Sequence, residues 1–139
     1  MTDFYNKTVT IYNDIPATTV ENRRFDRRII NQCNIQGGYL GKADGNSEAI
    51  VNAITVITKD ISRYMPFEEY KSLRMDIRPD YFTAHVGDFV VFGEVDDVAT
   101  TAQEFSKIQQ KYKNNGIVIN SVQEYIYGMD VDNVTFTNI

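Results

Sequence analysis

HVGDFVVFGEVDD, residues 85–97, is the stretch that decides how the rest of the chain is arranged. Its central run, FVVF at 89–92, is apolar at every position, which is typical of a strand covered on both faces. A Gly-Asp pair precedes the run and a Gly-Glu pair follows it, and these residue types favour turns. The stretch therefore predicts a buried strand between two turns, either central in the sheet or covered by a helix at 100–114.

The same stretch also carries an arrangement that resembles a catalytic or metal site. His85 is the only histidine in the chain, and Asp88 is the only acid near it in sequence that can orient it as a base. Glu94, Asp96 and Asp97 supply carboxylates of the kind that bind Ca²⁺ or Mg²⁺, but without the alternate spacing of a calcium loop. We expect turn residues here, and we predict no catalytic residue, no metal and no cofactor.

Composition limits the class of protein. The length of 139 residues suits one domain, predicted over 1–139, and the net charge of −5 disfavours nonspecific binding to nucleic acid. No apolar run is long enough to span a bilayer, and the N-terminus lacks the pattern of a signal peptide. Cys33 is the only cysteine, so we expect a buried structural thiol rather than a disulfide, a zinc ligand or a nucleophile.

Sequence periodicity predicts the other elements. Pro66 with early acids predicts a short helix over 66–73. Thr100 or Thr101, with Glu104 as in a capping box, predicts a second helix up to about residue 114. Alternating apolar and polar residues predict strands at 5–13, 24–36, 50–58, 81–84, 87–95, 116–127 and 134–139. The expected fold is mainly β (α+β), a small antiparallel β-barrel or sandwich of six to seven strands with one or two short helices.

Two features are candidates for binding. The first is a cluster of four arginines in RRFDRR, at 23–28, because guanidinium groups suit phosphates and carboxylates. The alternative is that these arginines pair with the chain's own acids, and the sequence leaves both open. The second is the glycine-rich segment 37–48, predicted to be a long flexible loop. The candidate interface residues are Arg23, Arg24, Arg27, Arg28, Gly37, Gly38, Tyr39, Asp44 and Asn46.

The order of the elements carries a resemblance. The chain opens with YNKTVTIYN at 5–13, continues with GDFVVFGEV at 87–95, and closes with a hairpin that contains VQEYIYG at 122–128. Over most of its length it resembles the small head–tail connector or minor capsid (neck) proteins of tailed bacteriophages that infect Firmicutes. PFEEYKSL at 66–73 and the helix at 100–114 depart from the simplest members of that group.

The resemblance implies a virion protein without enzymatic activity. Such a protein is a subunit of a head-closure or neck ring that joins portal to tail and is assembled in the cytoplasm of the bacterial host. Its partners would be other copies of itself and the neighbouring portal, connector and tail proteins. DNA would pass through the ring without sequence-specific binding, and no membrane would be involved. The alternatives are a tail-terminator or other tail structural protein, a non-phage small β-barrel binding module, and an enzyme that uses His85 and Asp88.

Overall fold

The fold is organised around one antiparallel sheet. A computed structural model describes residues 5–19, 21–40, 51–125 and 132–139. Within these residues the strands are β1 (Lys7–Ile15), β2 (Arg24–Leu40), β3 (Val51–Thr58), β4 (Phe89–Phe92), β5 (Gly116–Val118), β6 (Ser121–Tyr125) and β7 (Asn133–Thr137). The helices are α1 (Phe67–Tyr70) and α2 (Ala102–Lys111), with single 3-10 turns at Ile61–Arg63 and Arg78–Asp80.

The strand order confirms the predicted mainly β, α+β class but does not close the sheet into a barrel. The order is β5-β4-β1-β2-β3-β7-β6, so β5 and β6 form opposite edges. Only Ile119 and Asn120 separate these two strands in the chain. The Ile119 N–H donates to the Asp88 carbonyl at 2.8 Å, and the Asn120 N–H donates to the Thr137 carbonyl at 2.8 Å. The sheet must therefore curl strongly, because two residues bridge its two edges.

Each face of the curled sheet has its own apolar core. On one face α2 packs through Phe105 and Ile108, and the Phe105 ring stacks on that of Phe25 at 4.9 Å. The remaining buried members of this α2 face are Tyr12, Phe89, Val91 and Ala99. The buried cluster of the other face comprises Val9, Ile11, Ile30, Cys33, Val56, Tyr64, Phe82, Ala84, Val90, Ile117, Ile119, Val134 and Phe136.

The prediction for β4 is confirmed by this arrangement. Phe89 and Val91 face α2, whereas Val90 and the partly buried Phe92 face the other core. β4 lies between β1 and β5 in the sheet. An apolar run without alternation follows from this position, since both of its faces are covered.

The alternation of apolar and polar residues over 5–13 predicts a half-buried strand, and this prediction is wrong for β1. Val9 and Ile11 are buried as expected, but Thr10 and Tyr12 on the opposite face are also fully buried. The Thr10 hydroxyl donates to the Gly93 carbonyl at 2.8 Å, and the Tyr12 hydroxyl donates to the Asp97 carbonyl at 2.7 Å. Polar side chains are tolerated here because each has a hydrogen-bond partner.

Three other predictions can be compared with the structure. The capping box is confirmed: Glu104 N–H donates to Thr101 Oγ1 at 3.1 Å, and the Glu104 carboxylate accepts from the Thr100 N–H at 2.7 Å. The strand predicted at 81–84 is reduced to a single bridge between Phe82 and Tyr64. The strand predicted at 116–127 divides into β5 and β6, because the chain changes pairing partner at Ile119.

The loop predicted at 37–48 begins later than expected. Residues 37–40 belong to β2 and pair in register with residues 51–54 of β3. Gly37 does not need a left-handed conformation, and its nearest neighbour, Ile54 Cγ1, lies 3.6 Å from the position of a Cβ. The glycine-rich composition suggested a loop, but extended pairing with a partner strand overrides that tendency. The rest of the predicted loop, 41–48, lies outside the described residues.

Candidate functional site

The most distinctive surface feature is a two-stranded extension of the sheet, which we call the ribbon (Gly37–Leu40 paired with Val51–Ile54). The β1 ladder ends at Cys33 of β2, and the β7 ladder ends at Thr55 of β3. Within the described ladders, the ribbon therefore has no third strand. Asn138 holds its base through the Ile54 backbone, with Ile54 N–H donating to Asn138 Oδ1 at 2.9 Å.

The ribbon contains three of the predicted interface residues. Gly37 pairs with Ile54, Gly38 with Ala53 and Tyr39 with Asn52. The sequence analysis thus selected one strand of the ribbon as a candidate interface, although it expected a loop there. Asp44 and Asn46, the other two candidates of that segment, lie outside the described residues.

Arg23 and Arg24 contact acids of the chain itself. Arg23 forms a two-pronged pair with Asp14, Nε to Oδ1 at 2.9 Å and Nη2 to Oδ2 at 2.8 Å. This pairing raises the pKa of the Arg23 guanidinium. Arg24 donates to Asp26 Oδ1 at 3.0 Å and contacts Glu21 at 3.4 Å.

Arg27 and Arg28 are directed at backbone carbonyls. Arg27 Nε donates to the Val95 carbonyl at 2.8 Å, and Arg28 Nε donates to the Tyr81 carbonyl at 2.9 Å. Arg28 Nη2 also donates to the Tyr70 hydroxyl at 2.9 Å.

These contacts favour the internal-pairing alternative for the arginine cluster. A role of all four arginines in binding a partner predicts that they are exposed. This prediction is wrong for Arg24, Arg27 and Arg28, whose side chains are between 15 and 26% exposed. Only Arg23 is half exposed. An interface role for the cluster stays a prediction.

Asp88 is the centre of a buried polar network rather than a simple turn residue. Its carboxylate is fully buried and accepts from Asn13 Nδ2 at 2.7 Å and from the Asp14 N–H at 3.0 Å. The His85 backbone N–H donates to the same carboxylate at 2.9 Å. These bonds tie the turn before β4 to β1, and they satisfy a buried charge that would otherwise be costly.

The structure also brings the His85 side chain to Asp88. Nδ1 of His85 lies 2.8 Å from Asp88 Oδ1, an ion-pair distance without the alignment of a hydrogen bond. The His85 ring stacks on Phe67 with centroids 3.8 Å apart. The imidazole is thereby held in place between α1 and the turn before β4.

A shallow cleft of about 430 Å³ adjoins this histidine. Tyr64 and Glu124 line it opposite His85, and the Tyr64 hydroxyl donates to the Glu124 carboxylate. Burial and this hydrogen bond raise the pKa of Tyr64 well above its usual range. The cleft can present the fixed His85 imidazole and the Glu124 carboxylate to a ligand. The Asp88 carboxylate is already occupied by hydrogen bonds to other parts of the chain.

Of the acids after β4, Asp97 contacts the end of α2. The Asp97 carboxylate accepts from the Tyr112 hydroxyl at 2.5 Å and from Lys111 Nζ at 2.9 Å. The hydrogen bond from Tyr112, followed by that from Lys111, lowers the pKa of Asp97. Asp96 lies fully exposed, 3.5 Å from Arg27. In the described part of the chain, no three His, Cys, Asp or Glu side chains are grouped to hold a metal ion.

Cys33 is a buried structural thiol, as predicted from the sequence. Its side chain is fully buried in the core, and burial raises the pKa of the thiol to about 11. A thiol with so high a pKa is a poor nucleophile near neutral pH.

The sequence analysis missed several polar residues that the fold brings together. Asn13 and Asp88 are 75 positions apart, and Glu21 and Arg78 are 57 apart. Arg78 begins a short Arg-Pro-Asp turn, a sequence typical of the surface, yet its side chain is only 7% exposed. No local signal marks such pairs.

Together these features define a small α+β protein built on one curled antiparallel sheet, with a projecting ribbon and a buried polar network beneath β4. The chain belongs to DUF6751, a family of unknown function, whose model matches residues 4–136. No curated protein and no solved structure matches it. No helix within the described ranges is long and apolar enough to cross a membrane.

Proposed function

We propose that the protein is a structural subunit of a tailed-phage particle, in a head–tail connector ring that joins portal to tail. The observation that carries this proposal is the ribbon, a two-stranded extension without a third strand among the described ladders. The resemblance of the segments 5–13, 87–95 and 122–128 to phage neck proteins supports the same role.

A two-stranded ribbon lacks the packing and the backbone pairing that a larger sheet supplies. An isolated two-stranded hairpin is marginally stable in water, and glycines such as Gly37 and Gly38 weaken a strand further. Its outer edges offer backbone N–H and C=O groups for pairing with another chain. A partner that adds a strand or covers the ribbon would supply the missing contacts.

A ring provides partners of this kind. Each subunit of a ring meets its two neighbours through different surfaces, so one projecting element can dock on the next copy. Portal, connector and tail proteins would be the other partners. The net charge of −5 suits a channel through which DNA passes without sequence-specific binding.

The first test is the composition of purified particles. Quantitative mass spectrometry should find the protein in stoichiometric amounts relative to the portal, and its removal should give heads without tails. Absence of the protein from particles would contradict the proposal. Its presence in isolated tails alone would assign it to the tail rather than to the connector ring.

The second test uses a ribbon variant. Ala53→Pro removes a backbone donor from the ribbon, and we expect a folded protein that is not incorporated into particles. Ala102→Pro is the matched control, because the first residue of α2 tolerates proline. Normal incorporation of the Ala53→Pro variant would count against docking through the ribbon.

A further inference from the structure

A cleft beside α1 combines basic and hydroxyl side chains and is separate from the ribbon. Its volume is about 560 Å³. Lys71, Arg74 and Arg78 line it as cations, and Glu21 is the one acid in its lining. The hydroxyl side chains in the lining are those of Thr18, Thr19 and Ser72.

Arg78 is the buried cation of this cleft. Its guanidinium contacts Glu21 at 3.4 and 3.5 Å, whereas charge-assisted hydrogen bonds normally measure about 2.7–2.9 Å. Nη2 also donates to the Leu73 carbonyl, but the buried Nε has no acceptor among the described residues. A buried cationic donor without an acceptor is costly, so Glu21 leaves Arg78 incompletely satisfied.

Arg24 repeats this pattern next to Glu21, although it does not line the cleft. It contacts Glu21 at 3.4 Å, and its buried Nη2 has no acceptor in the described part of the chain. Within this network Arg24, Arg28 and Arg78 face two carboxylates, those of Glu21 and Asp26. One positive charge is therefore unbalanced, in a chain whose total charge is −5.

The rim of the cleft adds cations whose present partners are weak. Lys71 pairs with Glu68 at 3.0 Å, but the Glu68 side chain is 83% exposed. Arg74 pairs with Asp76 at 3.3 Å, and both are well exposed. Exposed ion pairs contribute little stability, so both cations can turn to a ligand at small cost.

We propose that this cleft binds a phosphate group, either free phosphate or a phosphate monoester. A phosphate presents several acceptor oxygens, which match the guanidinium donors of Arg78 and Arg74 and the ammonium of Lys71 in the lining of the cleft. A single carboxylate has two oxygens, and Glu21 already shows that it cannot satisfy both Arg24 and Arg78. The proposal is independent of the ring-forming role.

The test is a titration of ¹⁵N-labelled protein with inorganic phosphate at pH 7, with chloride added to keep the ionic strength constant. We expect saturable shifts of the Arg78 Nε–H signal and of the backbone amides of Thr18 and Thr19. Glycerol 3-phosphate, titrated in parallel, distinguishes an esterified phosphate from the free ion by its tighter binding.

Two variants give effects of opposite sign. Arg78→Gln should weaken phosphate binding about tenfold or more, through loss of a charge-assisted contact. Glu21→Gln should tighten binding severalfold, because it removes the competing carboxylate. Arg63→Gln is the matched control, since Arg63 pairs with Asp60 outside the cleft, and it should leave the affinity unchanged.

Several outcomes would overturn the proposal. One is the absence of saturable binding of either phosphate compound, and another is an unchanged affinity in a folded Arg78→Gln variant. If that variant does not fold, the paired change Lys71→Ala with Arg74→Ala takes its place and should weaken binding, while Glu21→Gln should still tighten it. A response to a short DNA duplex without a response to phosphate would also exclude a small-phosphate site.

Discussion

The two ends of β2 differ sharply in how they are held. Near its start, Phe25 and Ile30 are buried in opposite cores, β1 pairs alongside, and Arg63 donates to the Ile29 carbonyl at 2.8 Å. At its far end, Gly37–Leu40 pairs with a single strand in the ribbon. One continuous strand is thus fixed by packing at one end and open to a partner at the other.

If the ribbon docks on a partner as proposed, this difference separates the part of the sheet that holds the fold from the part that binds. The packed end and the adjoining strands β1 and β4 hold the fold, so substitutions there should act on folding. Ile54 of the ribbon packs against the core, but the rest of the ribbon has no third strand within the described ladders. We therefore expect substitutions at residues 37–40 and 51–53 to act mainly on association. Substitutions at the packed end should lower the free energy of unfolding more than substitutions in the ribbon.

The largest effect is expected from Asp88→Ala beneath the packed end. The change leaves the backbone N–H groups of Asp14 and His85 without an acceptor. It also removes one of the two acceptors of the Asn13 amide, which keeps the Thr83 carbonyl. Each buried unsatisfied group costs about 1–3 kcal/mol, so we expect a loss of about 3 kcal/mol or more in the free energy of unfolding. Urea denaturation followed by circular dichroism measures it, and a loss below about 1 kcal/mol would contradict the role assigned to Asp88.

A matched pair of glycine substitutions tests the comparison directly. At Gly116 a Cβ would lie 2.6 Å from the Val90 carbonyl oxygen and 2.8 Å from Phe89 Cζ. Overpacking of this kind costs about 1–3 kcal/mol. At Gly37 a Cβ fits at 3.6 Å from Ile54, so Gly37→Ala should change stability by less than about 0.5 kcal/mol. Thermal and urea unfolding of both variants supply the values, and equal effects would contradict the difference in packing between Gly116 of β5 and Gly37 of the ribbon.

Alkaline pH should weaken the packed end. Burial raises the pKa of Cys33 to about 11 and that of Tyr12 to about 12, from ordinary values of 9.0 and 10.0. Because the folded-state pKa values are raised, this stabilisation is complete below about pH 9 and is lost as the pH rises towards 12. The urea midpoint should fall over that interval, and Cys33→Ser with Tyr12→Phe should flatten the decline. A midpoint independent of pH up to 12 would contradict the burial of these groups.

A smaller effect than that of Asp88→Ala is expected at the start of α2, which covers the packed end. Thr101→Ala removes the acceptor of the Glu104 N–H and should cost about 1 kcal/mol. Thr100→Ala keeps its backbone N–H bond to Glu104 and should cost less. The two variants are compared by thermal unfolding, and a larger loss from Thr100→Ala would reverse the assignment of the cap.

The sequence predicted what local patterns control. The apolar run of β4 and the capping box of α2 each depend on neighbours within a few residues, and both are confirmed. The ribbon was misjudged as a loop because the pairing of Gly37 and Gly38 depends on a strand that begins at Val51. The Asn13–Asp88 and Glu21–Arg78 pairs join residues that are far apart in the sequence, so they depend on the tertiary structure and no local sequence pattern predicts them.

Hydrogen–deuterium exchange of the ribbon tests the central claim most directly. The protein is compared as the isolated chain and within purified particles, with the amides of β1 as the internal reference. We predict that residues 37–40 and 51–54 exchange much faster than β1 in the isolated chain and become protected in particles. Ribbon amides as slow as those of β1 in the isolated chain, or equally fast in both states, would contradict the account.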